Sequence, residues 1–191
     1  MNKLAAGLHN RLSFSERIKV EIEKYPHRKR IVHVGCGIGK YTPYLASIAD
    51  EVVGVDRDGE KIDAARSLYP NLKFLQMDPA RTGFSDGQFD AAFLIMYLHD
   101  DYSDELIKET CRIAGEVVVI DYSRILYGLR GRFIRLVEKD NYEKFASINL
   151  GAKFAEAGFS LRESRSIQSN FYIYFFAGGR ANKKSKKLFL I

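Results

Sequence analysis

The stretch Arg30-Ile31-Val32-His33-Val34-Gly35-Cys36-Gly37-Ile38-Gly39-Lys40-Tyr41 decides the fold of this chain. It begins with β-branched residues typical of a buried strand, and three alternate glycines follow, just before residues that suit a helix. Glycine lets the backbone approach a ligand closely, and the free N–H groups at a helix start attract anionic or polar groups. The stretch therefore predicts a loop that holds a nucleotide-type cofactor.

The spacing of the glycines separates the possible cofactors. The dinucleotide fingerprint G-x-G-x-x-G needs glycine where this chain has Lys40, and the phosphate loop ending in G-K-[ST] is absent because Tyr41 follows that lysine. The apolar run 52–55 closes on Asp56, whose carboxylate suits both hydroxyls of a ribose and repels a 2′-phosphate. A nicotinamide dehydrogenase is thus disfavoured, and a tight structural turn is the alternative interpretation of the glycines.

The residues VGCGIGKYT, together with VVGVD ending at Asp56, resemble the cofactor loop and second strand of class I S-adenosylmethionine-dependent methyltransferases. The resemblance implies S-adenosyl-L-methionine as cofactor and S-adenosyl-L-homocysteine as product. It also implies that the glycines shape the methionine pocket, that Asp56 holds the ribose, and that Asp78 and Met77 bracket the adenine. The expected cofactor residues are Gly35, Cys36, Gly37, Gly39, Tyr41, Asp56, Arg57, Met77, Asp78 and Met96.

Two positions leave alternatives open. Asp78 precedes Pro79, so shaping a turn is an alternative to binding adenine. His33 stands two residues before the first glycine, where the resembled family often has an acidic residue. A strand histidine whose hydrogen bonds are satisfied is the preferred interpretation of His33, and a contact with the cofactor is the alternative.

Length and composition favour one ordered domain. The chain has 191 residues, of which 46% are hydrophobic and 13% aromatic, and this is enough for one sizeable core. Its net charge of +6 suits nucleic acid, anionic lipid or acidic substrates and selects none of them. Part of the excess lies in four lysines near the end of the chain, Lys183, Lys184, Lys186 and Lys187.

The cysteines and the apolar segments predict an intracellular protein without a metal. Cys36 and Cys111 are too few for a metal ligand set or a disulfide framework. We find no apolar span long enough to cross a membrane and no signal-like start, so we expect no integral membrane segment. A reducing cytoplasm is the expected location.

Hydrophobic periodicity predicts alternating strands and helices. Strands are expected at 31–34, 52–55, 72–75, 89–96, 116–121, 159–167 and 171–177, and helices at 15–24, 41–49, 60–69 and 103–113. The short turn 168–170 makes the last two strands antiparallel. Together with the resemblance, the pattern predicts a three-layer Rossmann-like α/β sandwich with a mostly parallel seven-stranded sheet and an antiparallel C-terminal strand.

We expect a single methyltransferase-like domain over residues 1–191. It comprises an N-terminal helical segment (1–29), a core (30–178) with a helical insertion (125–157), and a basic C-terminal tail (179–191). Two helical patterns are visible in the insertion. Its basic set favours an amphipathic lid over a nucleic-acid groove, and comprises Arg124, Arg130, Arg132 and Arg135.

His99 is the candidate general base, required only if the acceptor must lose a proton. Its ordinary pKa lies near neutrality, and it follows the carboxyl end of a parallel strand, where such sheets bind ligands. Asp100 is the candidate that orients it. The alternative, of equal weight, is that His99, Asp100 and Asp101 begin a solvated turn that leads to a helix cap near Ser103. Tyr97, Asp121 and Tyr122 end strands nearby and are interpreted as wall residues.

The most favoured acceptor is a small molecule. Members of the resembled family that methylate base amines usually carry N-P-P-Y or D-P-P-Y, and neither occurs here, nor does a Pro-Cys pair of the cytosine-carbon type. An RNA-modifying methyltransferase and a noncatalytic adenosylmethionine-binding protein are the alternatives. The oligomeric state is left without a prediction.

Overall fold

The computed structural model describes residues 13–123, 128–168 and 170–179. Residues 1–12 of the N-terminal segment, Arg124 and the lysine-rich tail beyond residue 179 therefore lie outside the described residues. The helices are α1 (Phe14–Glu23), α2 (Thr42–Ala46), α3 (Gly59–Leu68), α4 (Asp104–Ile113), α5 (Gly128–Val137), α6 (Lys139–Ser147) and α7 (Leu150–Glu156). The strands are β1 (Arg28–Val34), β2 (Ala49–Asp56), β3 (Lys73–Gln76), β4 (Phe89–Ile95), β5 (Ala114–Tyr122), β6 (Phe159–Gln168) and β7 (Phe171–Gly178).

These strands form one sheet in the order β3-β2-β1-β4-β5-β7-β6. β7 runs antiparallel to β5 and β6, whereas the strands from β3 to β5 pair in parallel. The carboxyl ends of β1 to β5 therefore lie along one edge of the sheet, where such folds bind ligands. The predicted fold class, including the antiparallel C-terminal strand, is confirmed.

Apolar side chains cover both faces of the sheet. One core cluster joins Val34, Leu94 and Val119 to side chains of α4, α6 and α7, and the other joins Ile31 and Phe93 to side chains of α1 and α2. Strands that are buried on both faces need almost unbroken apolar sequence. That requirement explains why β4 and β5 are recognisable from sequence.

α1 is fixed at its start by a capping box and at its end by a buried acid. The Ser13 hydroxyl accepts the Glu16 N–H at 3.3 Å, and the Glu16 carboxylate accepts the Ser13 N–H at 2.7 Å. After the helix ends, Tyr25 and Arg28 both donate to the carboxylate of Glu116 in β5. The N-terminal helix is thereby tied to the middle of the sheet.

Two helical regions differ from the sequence prediction. α2 ends at Ala46 rather than at Ala49, because the Ser47 hydroxyl donates to the Tyr44 carbonyl at 2.6 Å and the chain then enters β2. The described part of the insertion holds three helices instead of two. The third helix begins where the Asn149 side chain accepts the Ala152 N–H at 3.2 Å. Among the described helices, none combines the length and the apolar character that crossing a membrane requires.

Candidate functional site

The loop from β1 to α2 is built on glycine. Gly35, Gly37 and Gly39 have φ angles of +68°, +53° and +79°, which L-residues with a Cβ avoid. A Cβ at Gly39 would lie 2.8 Å from the Phe74 ring, so this glycine allows the loop to pack against β3. A Cβ at Gly37 would meet nothing within 4 Å, so the middle of the loop faces open space that a ligand can approach.

Asp56 joins this loop to the end of β2. Its carboxylate is buried and accepts the Gly37 N–H at 2.8 Å through one oxygen and the Asp58 N–H at 3.0 Å through the other. An ionised carboxylate offers about four acceptor sites, so each oxygen keeps capacity for a further donor such as a hydroxyl. The open loop at Gly37 and this remaining acceptor capacity fit the ribose and amino-acid parts of adenosylmethionine.

Tyr97 lies over the start of the loop. The chain turns out of β4 at Met96, whose φ of +54° is the one positive value of a non-glycine residue in the described part of the chain. The Tyr97 ring then lies so close to Gly35 that an added Cβ would be 2.2 Å from ring carbons. The Tyr97 hydroxyl donates to the Asp101 carboxylate. Burial, reinforced by that carboxylate, raises the pKa of Tyr97 well above its ordinary value.

An ion pair spans the same opening. Arg57, just after β2, contacts the Asp101 carboxylate and lies 3.9 Å from that of Asp78. Because β1 lies between β2 and β4 in the sheet, Arg57 and Asp101 meet across the end of β1. Tyr97, Asp101 and Arg57 therefore form a bridge over the first glycine of the loop.

The two expected adenine residues lie beside this bridge. The Asp78 side chain is 51% exposed and accepts the Ala80 N–H at 3.0 Å, which is the turn-shaping contact of the alternative interpretation. Met77 is half-buried, and its N–H donates to the Asp56 carbonyl at 2.9 Å. The structure therefore brings Asp56, Met77 and Asp78 together at neighbouring strand ends.

Cys36 and Tyr41 are placed differently. Burial, with the nearby Asp56, raises the pKa of Cys36 to about 12, so this thiol stays protonated and packs as a small apolar group. Tyr41 is buried in the core cluster that includes α1, and burial raises the pKa of its hydroxyl. Tyr41 is thus directed toward α1 rather than toward Asp56.

His33 is a core residue beneath the loop. Its side chain is 1% exposed, and its Nδ1 lies 2.8 Å from the Thr42 hydroxyl, which links β1 to the start of α2. Its Nε2 has no hydrogen-bond partner among the described residues. Burial lowers the pKa of His33 to about 3, so the ring is neutral. The histidine is therefore satisfied at one ring nitrogen only.

His99 is held by Asp121 rather than by Asp100. His99 Nδ1 lies 2.7 Å from an Asp121 oxygen, and Asp121 is fully buried at the end of β5. Asp121 also accepts the backbone N–H groups of His99 and Tyr122, at 3.3 and 2.8 Å. Since an ionised carboxylate only accepts, Nδ1 carries the proton and Nε2 is left to face Asp100 at 3.5 Å.

The surroundings of His99 are acidic and aromatic. Burial alone lowers the pKa of His99, but the hydrogen bond and charge of Asp121 and the charge of Asp100 raise it overall. Glu138, after α5, adds a third carboxylate: single ligand atoms of His99, Asp100 and Glu138 all lie within 4.8 Å of one another. The sequence predicts no metal. Measuring whether a divalent cation binds to His99, Asp100 and Glu138 would test that prediction. Tyr122 packs on the imidazole with ring centroids 4.5 Å apart.

Sequence reasoning underestimated three side chains of this site. Tyr97 and Asp121 appear in sequence as wall residues and Asp101 as part of a turn, yet they bridge the loop and fix the imidazole. Tyr97 and Asp101 are four residues apart, a spacing that allows side-chain contact within one turn. A carboxylate that ends the apolar run of β5 is the signal for Asp121, because a buried acid needs a partner.

Comparison with known proteins finds similarity to methyltransferases. Residues 31–116 match the model of a methyltransferase domain. Tocopherol O-methyltransferase of Arabidopsis thaliana is 30% identical over 105 residues, covering 49% of this chain and 30% of that protein. Ribosomal RNA small subunit methyltransferase A of Shouchella clausii is 36% identical over 77 residues, covering 39% of this chain and 26% of that protein.

The solved structures agree on the fold. A SAM-dependent methyltransferase from Aquifex aeolicus superimposes with a TM-score of 0.67 at 17% identity, covering 84% of this chain and 88% of that chain. The aligned regions span between 20% and 68% of the lengths of the curated relatives that this chain matches. The domain match over residues 31–116 and the shared fold support a methyltransferase of the class I, S-adenosylmethionine-dependent type.

Proposed function

We propose that this protein transfers a methyl group from adenosylmethionine to a small-molecule acceptor that His99 deprotonates. The observation that carries the proposal is the imidazole of His99, fixed by the buried Asp121 at the same sheet edge as the glycine loop. When bound, the cofactor supplies an electrophilic methyl group on a sulfonium. The protein has to position the acceptor, exclude water and, where necessary, accept a proton.

The cofactor side of the site rests on the loop and on Asp56. In this proposal the loop at Gly35, Gly37 and Gly39 accommodates the methionine part, and the remaining acceptor capacity of Asp56 binds the ribose. Met77 and Asp78 border the adenine, with Arg57 and Met96 at the rim. The bridge of Tyr97, Asp101 and Arg57 has to open or shift for a ligand to reach Gly35, because the Tyr97 ring lies against that glycine.

The acceptor side rests on His99. Asp121 holds Nδ1–H and so leaves Nε2, which faces Asp100, as the ring atom that accepts a proton from a hydroxyl or similar nucleophile. Because the pKa of His99 is raised, its neutral, proton-accepting form becomes abundant only at a higher pH than for an ordinary histidine, so the rate of methyl transfer should increase with pH. Asp121 stabilises the imidazolium that results, as a carboxylate partner does for a general base.

The charges around His99 favour a small molecule over RNA. The carboxylates of Asp100, Asp121 and Glu138 surround the imidazole and disfavour an acceptor that carries phosphates close to its reacting atom, as a nucleotide of RNA does. Aromatic rings form the neighbouring wall, with Phe14 stacked on Phe171 at 3.8 Å and Tyr122 next to Phe171 at 5.4 Å. Such a wall suits an aromatic or otherwise apolar acceptor.

RNA methylation is the second candidate, and one observation favours it. The match to a ribosomal RNA methyltransferase covers 39% of this chain. Under this alternative, RNA binding falls steeply with added salt and the labelled methyl group enters the RNA fraction.

Calorimetry with adenosylhomocysteine tests the cofactor site. We expect wild-type protein to bind, Asp56→Ala to lose at least about tenfold in affinity through lost charge-assisted hydrogen bonds, and Asp50→Ala to bind like the wild type. Asp50 is the matched control, since it lies at the other end of β2 with a side chain 66% exposed. Undiminished binding by Asp56→Ala would contradict the site.

Transfer of labelled methyl groups into metabolite and RNA fractions tests the acceptor class. We expect the label in the metabolite fraction, and a loss of about 10²- to 10⁴-fold in rate for His99→Gln with adenosylhomocysteine binding retained. Label confined to RNA would reject the small-molecule proposal. An unchanged rate in His99→Gln would reject its role as base.

A further inference from the structure

Helix α5 carries an apolar strip that none of the described residues covers. Leu129, Phe133, Leu136 and Val137 are 83%, 64%, 79% and 60% exposed, and they include the most exposed large apolar side chains of the described residues. Their spacing of four, seven and eight residues from Leu129 places them on one face of the helix. We call these four residues the α5 strip.

The opposite face of α5 anchors the helix. Ile134 is 7% exposed and belongs to the main core cluster together with Tyr142 of α6, and Gly131 is buried as well. At about 100° per residue, Gly131 lies roughly opposite both Leu129 and Phe133, and Ile134 is turned about 140° from Leu129 and about 100° from Phe133. The α5 strip therefore faces away from the body of the protein.

The polar residues of α5 are positively charged. Arg132 and Arg135 are exposed, and the sequence GLRGRFIRLV contains no acidic residue. The whole chain has a net charge of +6. An exposed apolar strip with flanking arginines is complementary to a surface that offers acyl chains below anionic headgroups.

We propose that α5 docks this protein onto an anionic lipid bilayer, with the α5 strip inserted among the acyl chains and Arg132 at the headgroups. A nucleic acid would satisfy the arginines and leave the strip in water. A second copy of the chain fits less well, because four side chains supply only part of the roughly 800 Å² per partner that a stable interface buries. A bilayer satisfies both features of the helix.

The position of α5 links this surface to the methyl-acceptor side. Glu138 immediately follows α5 and contributes to the group of side chains around His99. If His99 marks the acceptor site, as the proposed function states, docking through α5 places that site next to the membrane surface. The acceptor class that it favours is an amphiphile whose apolar part stays in the bilayer.

Co-sedimentation of the full chain with vesicles tests the docking. We expect binding to vesicles of phosphatidylcholine mixed with phosphatidylserine, and weaker binding to phosphatidylcholine alone. The double variant Leu129→Gln/Phe133→Gln should lose at least about tenfold in partitioning to both vesicles, since it removes two inserted side chains. Arg132→Gln should lose about fivefold on the anionic vesicles only. The matched control is Leu68→Gln/Leu161→Gln, because these side chains are also exposed, at 57% and 45%, but lie elsewhere.

The outcomes separate the possibilities. Absence of wild-type binding to anionic vesicles, or full binding by Leu129→Gln/Phe133→Gln, overturns the proposal. A dimer seen by sedimentation equilibrium and lost in the same variant overturns it in favour of a second copy. Adenosylhomocysteine binding by the double variant shows that it is folded. The proposed function fails separately if wild-type protein binds vesicles but neither binds adenosylhomocysteine nor transfers methyl groups.

Discussion

Gly35 and Gly37 share a backbone conformation and differ in what surrounds them. Both have positive φ, so a Cβ costs about 1–2 kcal/mol at either position. At Gly35 the Cβ also meets the Tyr97 ring at 2.2 Å, whereas at Gly37 nothing lies within 4 Å. The ring has to move as a whole, because the clash includes its Cγ atom next to the backbone.

We therefore expect Gly35→Ala to lower the free energy of unfolding by about 1–3 kcal/mol more than Gly37→Ala does. Urea unfolding of the two variants measures the difference, and Gly37→Ala is the control for backbone strain alone. Equal destabilisation of the two variants would show that Tyr97 does not lie against Gly35 in solution.

His33 is expected to make the protein sensitive to acid. Its folded-state pKa of about 3 lies below the ordinary value of 6.5. Below about pH 6.5, His33 is protonated in the unfolded chain and stays neutral in the folded chain. The stability associated with neutral His33 is therefore complete above that pH and is lost as the pH falls toward 3. Each pH unit in this window costs up to about 1.4 kcal/mol.

Replacing His33 removes this loss. Between about pH 7 and pH 5, the free energy of unfolding of His33→Gln should fall less than that of the wild type, whatever its absolute stability. His27→Gln is the control, since the His27 side chain is 60% exposed, and its pH dependence should match the wild type. Parallel curves for wild type and His33→Gln, measured by urea unfolding across the pH range, would contradict a buried neutral His33.

At the scale of the elements, the sequence predicts strands better than helix limits. β4 and β5 are buried on both faces, so their apolar runs identify them without further information. The end of α2 depends on the Ser47 hydroxyl, and the start of α7 on the Asn149 side chain. Such local competition for backbone groups is weakly visible in a hydrophobic pattern.

In the candidate site, too, local features could be predicted from the sequence and contacts between distant elements could not. The loop glycines and Asp56 follow one another along β1 and β2, so their spacing predicts their meeting at the sheet edge. Contacts between distant elements escaped prediction: Asp121 holds His99 from 22 residues away, and Arg57 contacts Asp101 across β1. Pairing of strands brings these side chains together, and sequence spacing does not contain that information.

At the scale of the whole molecule, we propose that the described chain unfolds as one unit. The insertion packs Phe145 and Phe154 into the same cluster as Val34 and Leu94 of the sheet, and α1 is tied to β5 through Glu116. A shared core is the physical condition for cooperative unfolding of a chain of this size.

We expect thermal unfolding to show a single transition by far-ultraviolet and near-ultraviolet circular dichroism. Adenosylhomocysteine at about 100 times its dissociation constant should stabilise the whole unit by about 2.7 kcal/mol. The Asp56→Ala variant, in which the ligand contact is removed, is the control that should not respond. Two transitions, of which the ligand moves only one, would divide the chain into separate domains.

The edges of the sheet have a consequence for behaviour at high concentration. β3 at one edge has four residues, and β6 at the other edge has register shifts in its pairing with β7, between Leu161 and Glu163 and between Ser166 and Gln168. Short or irregular edge strands are poor templates for adding strands from another molecule. Edge-to-edge polymerisation into extended sheets is therefore disfavoured, even for a chain so rich in apolar strands.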